Sequence, residues 1–171
     1  DDLYEYINHH HPFQLSQIKL FIYSLLKAIS YLHQQGLMHR DVTSTNILID
    51  EKTQNIKLCD FGLSGSLRER MSDNIGTKAY MAPEIIVGNG SYGFEIDVFA
   101  FSMVLFEIFT GDFPYLGQKY DIVKFLSGEL RPDLNYKKIP EYFKNLISKC
   151  WCSDPKLRPK FAEITKEMYD M

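Results

Sequence analysis

The run from Val98 to Phe109 constrains this chain most, being apolar throughout except for Ser102 and Glu107. It falls well short of the roughly 18 residues that a spanning helix needs. A short helix that is apolar on every side belongs at the centre of a water-soluble core, with the remaining elements wrapped around it.

The rest of the chain has the composition to do that wrapping. With 171 residues and 45% apolar content it can bury one substantial core, which predicts a single domain spanning residues 1–171. A formal charge of -3 excludes a protein that works by neutralising nucleic-acid phosphates, since such binders carry a basic excess. Three cysteines are too few and too unevenly spaced for a disulfide framework, so a reducing, cytoplasmic setting is expected. The start Asp1-Asp2-Leu3-Tyr4 has neither an initiator Met nor a secretion signal. It leaves room for an upstream signal or membrane segment in a longer protein.

Periodicity places the other elements. Ile18, Ile22, Leu25, Leu26, Ile29 and Leu32 form one stripe, predicting a helix from Leu15 to Gln35 that Gly36 ends. Ile47-Leu48-Ile49 and Ile56 to Cys59, separated by a turn-rich stretch, predict a hairpin. From Phe61 to Tyr80 no period exists, and Gly62, Gly65 and Gly76 mark a long loop. Pro83 restarts a short helix. Further helices are expected near Lys119–Leu126, Glu141–Cys150 and Phe161–Met168, with Pro140 and Pro159 as first helical residues.

Chemistry gathers at four islands: His39-Arg40-Asp41 with Asn46, Asp60-Phe61-Gly62, Ala82-Pro83-Glu84, and Asp97 at the head of the buried run. A hairpin between Asn46 and Asp60 brings two carboxylates and an amide oxygen together. Hard oxygen donors of that kind suit Mg²⁺ that shares its shell with water and phosphates.

In this order and spacing the islands resemble the eukaryotic protein kinase catalytic domain over nearly the whole chain, as its large C-terminal lobe. The implied fold is mainly α with a small β-hairpin (α+β), the N-terminal lobe being absent. The resemblance implies transfer of the ATP γ-phosphate to Ser or Thr of protein substrates, with Mg²⁺. It makes Asp41 the catalytic base, Asn46 and Asp60 the Mg²⁺ ligands, and Leu48 the side chain beneath adenine; the other reading of Leu48 is a plain core leucine. His39 and Phe61 become packing elements that separate active from inactive states. Arg40 becomes the partner of a loop phosphate. Ser64, Ser66, Ser72 and Thr77 are the hydroxyls on offer, and Ser72, at mid-loop, is the expected phosphosite, with an unmodified loop as the alternative. Glu84 and Arg158 become a buried ion pair, and Asp97 an anchor for the catalytic loop. The run Cys150 to Pro159 resembles the ending common in the tyrosine-kinase-like group.

Two departures matter. Thr43 and Thr45 stand where kinases carry a Lys or Arg that neutralises the transferring phosphate. No Gly-rich phosphate loop and no strand Lys with a helix Glu occur within the 171 residues. The readings are therefore a Ser/Thr kinase lobe acting as part of a longer chain, a non-catalytic pseudokinase scaffold, or a tyrosine-specific kinase. The lobe is expected to be monomeric, to have no membrane segment and to be inactive alone. His9-His10-His11 is expected in a solvated loop, Cys150 in the core, and Cys59 as an inert thiol near the nucleotide pocket.

Overall fold

The structure, a computed structural model, describes residues 1–60, 78–88, 92–135 and 139–170. The described residues are mainly helical with one two-stranded antiparallel sheet. Among them no helix is long and apolar enough to cross a membrane.

The apolar run becomes helix α4 (Glu95–Thr110), buried at every position from Ile96 onward. Gly111, at φ 73°, ends it in a left-handed conformation that a Cβ would disfavour. Around this axis lie α1 (Leu3–His10), α2 (Leu15–Gln34), α3 (Pro83–Val87), α5 (Ile122–Ser127), α6 (Glu141–Cys150) and α7 (Phe161–Tyr169).

Helix α2 buries Ile18, Ile22, Leu25, Leu26 and Ile29 of the predicted stripe and adds Phe21, whereas Leu32 is only half-buried. It stops where Gly36 turns left-handed at φ 74°. Leu37 N–H then reaches Leu32 C=O at 2.9 Å and Gly36 N–H reaches His33 C=O at 3.0 Å, satisfying two terminal carbonyls. One side of α2 meets α4 and α7, and its other end meets the sheet. Helix α6 turns Phe143, Leu146, Ile147 and Cys150 inward at three- and four-residue steps and packs on α4.

Strands β1 (Ile47–Asp50) and β2 (Asn55–Leu58) pair with Ile47 opposite Leu58 and Asp50 opposite Asn55. Ile47 and Ile49 face the core, whereas Leu48 faces outward. Asp1 C=O accepts from Ile49 N–H at 2.9 Å, so the chain start runs beside β1 before Asp2 caps α1.

Three local expectations are corrected. His9 and His10 close α1 and His11 caps it, so the histidine run is not a free loop. Burial of Leu3, Tyr6 and Ile7 holds that helix, and His10 stacks on Tyr6 at 4.1 Å. Pro140 is the cap residue of α6 and Pro159 precedes the cap Lys160 of α7, so neither is a first helical residue. Helix α5 begins at Ile122, later than expected, because the Asp121 carboxylate accepts from Val123 and Lys124 N–H.

Candidate active site

The segment from His39 to Asn46 has little regular structure of its own. It is held by side chains from elsewhere, and α4 supplies the largest part. Asp97, 1% exposed in the first turn of α4, accepts from His39 N–H and Arg40 N–H, both at 2.8 Å. Its Oδ2 also meets His33 Nε2 of α2 at 2.8 Å. Arg40 adopts φ 69°, a region costing a non-glycine residue about 1–3 kcal/mol, and the Asp97 carboxylate bonds the amide at that strained position.

His39 is fully buried and bonds at both ring nitrogens. Nδ1 accepts from Asp41 N–H at 3.2 Å and Nε2 donates to Cys59 C=O at 2.8 Å, an arrangement that fits the neutral ring. Its ring thus ties the loop before Asp41 to the end of β2.

A 3₁₀ turn at Ser44–Asn46 brings the chain back. The Asn46 amide donates to the Asp41 carboxylate at 2.8 Å and to Asp41 C=O at 3.0 Å. That commits the nitrogen end of Asn46 to Asp41 and turns its carbonyl oxygen the other way. Across the hairpin, Cys59 N–H donates to the backbone C=O of Asn46 at 2.9 Å and the Cys59 thiol reaches the same backbone oxygen at 3.2 Å. Burial, and then the Asp60 charge, pushes the Cys59 thiol up from its ordinary pKa, which favours the unreactive form. Asp60 follows directly, exposed and at φ 55°. Asp41, Asn46 and Asp60 therefore sit on backbone segments joined by direct hydrogen bonds. Among the described residues no three His, Cys, Asp or Glu side chains form a metal-holding group by themselves.

Thr43 is 5% exposed, and its hydroxyl lies 3.0 Å from that of Thr45, so the missing cation is replaced by a pair of hydroxyls. Leu48 is 45% exposed on the outer face of β1, which excludes the plain-core reading. Arg40 is exposed. Phe61, Ser72 and Thr77 lie outside the described residues.

Further from the loop, Arg158 donates to both Glu84 carboxylate oxygens, at 2.6 and 2.9 Å. It also donates to the carbonyls of Cys152 at 2.8 Å and Glu95 at 3.0 Å, and its guanidinium lies 5.1 Å from the centre of the Phe99 ring. Arg131 approaches the same ring at 5.4 Å. Phe99 is thus a contact for two cations, a role its place in an apolar run gives no hint of.

Sequence reasoning also missed His33, Arg131 and a buried polar chain. In that chain Tyr80 OH donates to Glu107 Oε1, and Ser44 Oγ lies 3.0 Å from Tyr80 OH. Glu107 interrupts the apolar run and was the one available signal. Burial raises its pKa to about 7.

Comparison with known proteins gives a consistent set. The family model described as protein kinase domain matches residues 1–169. A probable serine/threonine-protein kinase of Dictyostelium discoideum is 37% identical over 155 residues, which cover 90% of this chain and 11% of that protein. Serine/threonine-protein kinase STY17 of Arabidopsis thaliana is 35% identical over 167 residues, covering 95% of this chain and 29% of the relative. The dual specificity mitogen-activated protein kinase kinase mek-1 of Caenorhabditis elegans is 39% identical over 85% of this chain and 43% of its own length. The chain thus spans between 11% and 43% of the length of these relatives.

Proposed function

Because the chain belongs to the protein kinase domain family, we propose that residues 1–171 are the C-terminal lobe of a catalytic domain. Completed by the parts that hold the ATP phosphates, it transfers the γ-phosphate to Ser or Thr hydroxyls of protein substrates. The observation that carries this is the bonded path Asp41–Asn46–Cys59, with Asp60 next in sequence. It supports placing a proton acceptor beside two oxygen donors.

In this reading the Asp41 carboxylate takes the proton of the substrate hydroxyl, and its bond from Asn46 fixes the direction in which it points. Asn46, through its side-chain amide oxygen, and Asp60 would hold Mg²⁺; two protein oxygens suit an ion that fills its shell from water and phosphates. Bound Mg²⁺-ATP supplies the transferable phosphoryl group and offsets its charge. Leu48 offers the adenine an apolar surface. Asp97 and His39 hold the loop, and Glu84 with Arg158 secures the base of α3. Arg40, exposed beside Asp41, would pair with a phosphate at Ser72 or Thr77.

The relatives' printed names include both serine/threonine and dual-specificity kinases. We place this chain with the former because Gly76-Thr77 precedes Tyr80-Met81-Ala82-Pro83-Glu84. The test is phosphate transfer from labelled ATP with Mg²⁺ by the full-length protein. Asp41→Asn is expected to lower the rate by a factor on the order of 10²–10⁴. Transfer by that variant at the wild-type rate would remove the assigned base, and wild-type protein that binds partners but transfers nothing would establish the scaffold reading instead.

A further inference from the structure

The catalytic loop is fastened to α4 at one end by Asp97, and the buried chain Ser44–Tyr80–Glu107 reaches the same helix from the other end. Ser44 is fully buried within the 3₁₀ turn that carries Asn46. Its hydroxyl meets Tyr80 OH at 3.0 Å; Tyr80 is 6% exposed and donates to Glu107, which is 2% exposed. Glu107 lies ten residues after Asp97, about 15 Å along the helix at 1.5 Å per residue. The loop from His39 to Asn46 is thereby bonded to one rigid element at two separated points.

We infer that Ser44 is a positioning residue for the catalytic loop, holding the Asn46 turn, and through it the Asp41 carboxylate, against α4 by way of Tyr80 and Glu107. The inference rests on the kinase reading for its effect on rate, but the linkage itself is a property of the fold. The polarity of the chain follows from its end. Glu107 Oε1 receives the Tyr80 proton, which leaves the Tyr80 oxygen to accept from Ser44 Oγ–H. Removing the Ser44 hydroxyl therefore frees the loop while leaving the Tyr80–Glu107 bond in place. Tyr80→Phe removes the hydroxyl at the centre of the chain, so Ser44 loses its acceptor and Glu107 its donor. Either change severs the path from the loop to Glu107, so combining them leaves the loop nothing further to lose.

The experiment uses the full-length protein with Ser44→Ala, Tyr80→Phe, the double variant and Ser44→Thr as the hydroxyl-retaining control. Steady-state transfer from Mg²⁺-ATP to a peptide gives kcat and KM, and hydrogen exchange follows the amides of Asn46 and Cys59. A lost neutral hydrogen bond predicts a fall in kcat of about 2- to 12-fold in each single variant, with both KM values within about twofold. The double variant should match the lower single variant, and Ser44→Thr should recover most of the loss. Exchange at Asn46 and Cys59 should accelerate by a similar factor in both single variants.

Unchanged kcat and unchanged exchange overturn the proposal. So does a loss confined to the folded fraction with the kcat of folded protein intact, or a double variant whose losses multiply. If the wild type transfers no phosphate, the kinase reading fails by itself; the exchange data then decide the Ser44 linkage alone.

Discussion

Arg158 is the side chain whose removal should be felt most widely. Its guanidinium is fully buried, pairs with a Glu84 carboxylate only 12% exposed, and donates to the carbonyls of Cys152, Glu95 and Ser153. A surface pair of this kind would contribute about 0–1 kcal/mol. Here Arg158→Met keeps the aliphatic stem but leaves the Glu84 charge without its partner, and breaking a buried pair this way costs about 3–5 kcal/mol. Glu84→Gln should cost less, because three carbonyls and the Phe99 face still receive the guanidinium. The double variant should fall short of the summed losses by about 0.5–3 kcal/mol, since the second change removes the charge the first one stranded.

The assay is native-state hydrogen exchange of peptides from α4 and α7 in the intact protein, which reads local opening without requiring the chain to unfold as one unit. At about 1.4 kcal/mol per tenfold, Arg158→Met should speed exchange there between about a hundredfold and a few thousandfold. Exchange within about threefold of wild type would refute the reasoning, since the pair would then contribute no more than a solvated one.

Other outcomes follow from the same geometry. Asp97→Asn leaves a single acceptor oxygen for the His39 and Arg40 amides and the His33 ring, so phosphate transfer should fall at least about tenfold and exchange at 39–41 should rise. Glu107 has a folded pKa of about 7 against an ordinary 4.5. The native state therefore holds the extra proton between those values, and stability that is fully present below pH 4.5 declines as pH rises towards 7. Glu107 should lower exchange-measured stability by up to about 3 kcal/mol across that window, and Glu107→Gln should remove that share of the slope. Tyr80 stays neutral there because burial pushes its phenol further up, and Tyr4 and Asp112, which line the same cavity as Glu107, are present in both proteins. Leu48→Ala should raise KM for ATP several-fold and, at an exposed position, change local stability by no more than about 0.5 kcal/mol.

Helices whose apolar residues recur at a strict step were legible before any coordinates. α2 appears where the stripe of Ile18 to Leu32 places it, α6 spans the expected Glu141–Cys150, and α4 is buried all round as its uniform composition requires. Helix α1 is too short to display a period, and its stability comes from contacts of Leu3, Tyr6 and Ile7 with distant parts of the chain. The same limit governs the site. Asp41, Asn46 and Asp60 stood out through their spacing in a recognisable pattern. His33 with Asp97, Arg131 with Phe99, and Ser44 with Tyr80 and Glu107 are tertiary pairs far apart in sequence, and a single polar residue inside an apolar stretch does not announce its partner. The outward face of Leu48 is likewise set by which side of the hairpin meets α2.

The central claim is that Asn46 and Asp60 present oxygens to one divalent ion carried with ATP. Mn²⁺ in place of Mg²⁺ makes this directly visible by electron paramagnetic resonance in the intact protein with ATP present. Wild type should bind the ion tightly, and Asn46→Ala and Asp60→Asn should each weaken it by about tenfold or more, in line with the loss of one ligand. Equal Mn²⁺ binding by all three proteins would contradict the account.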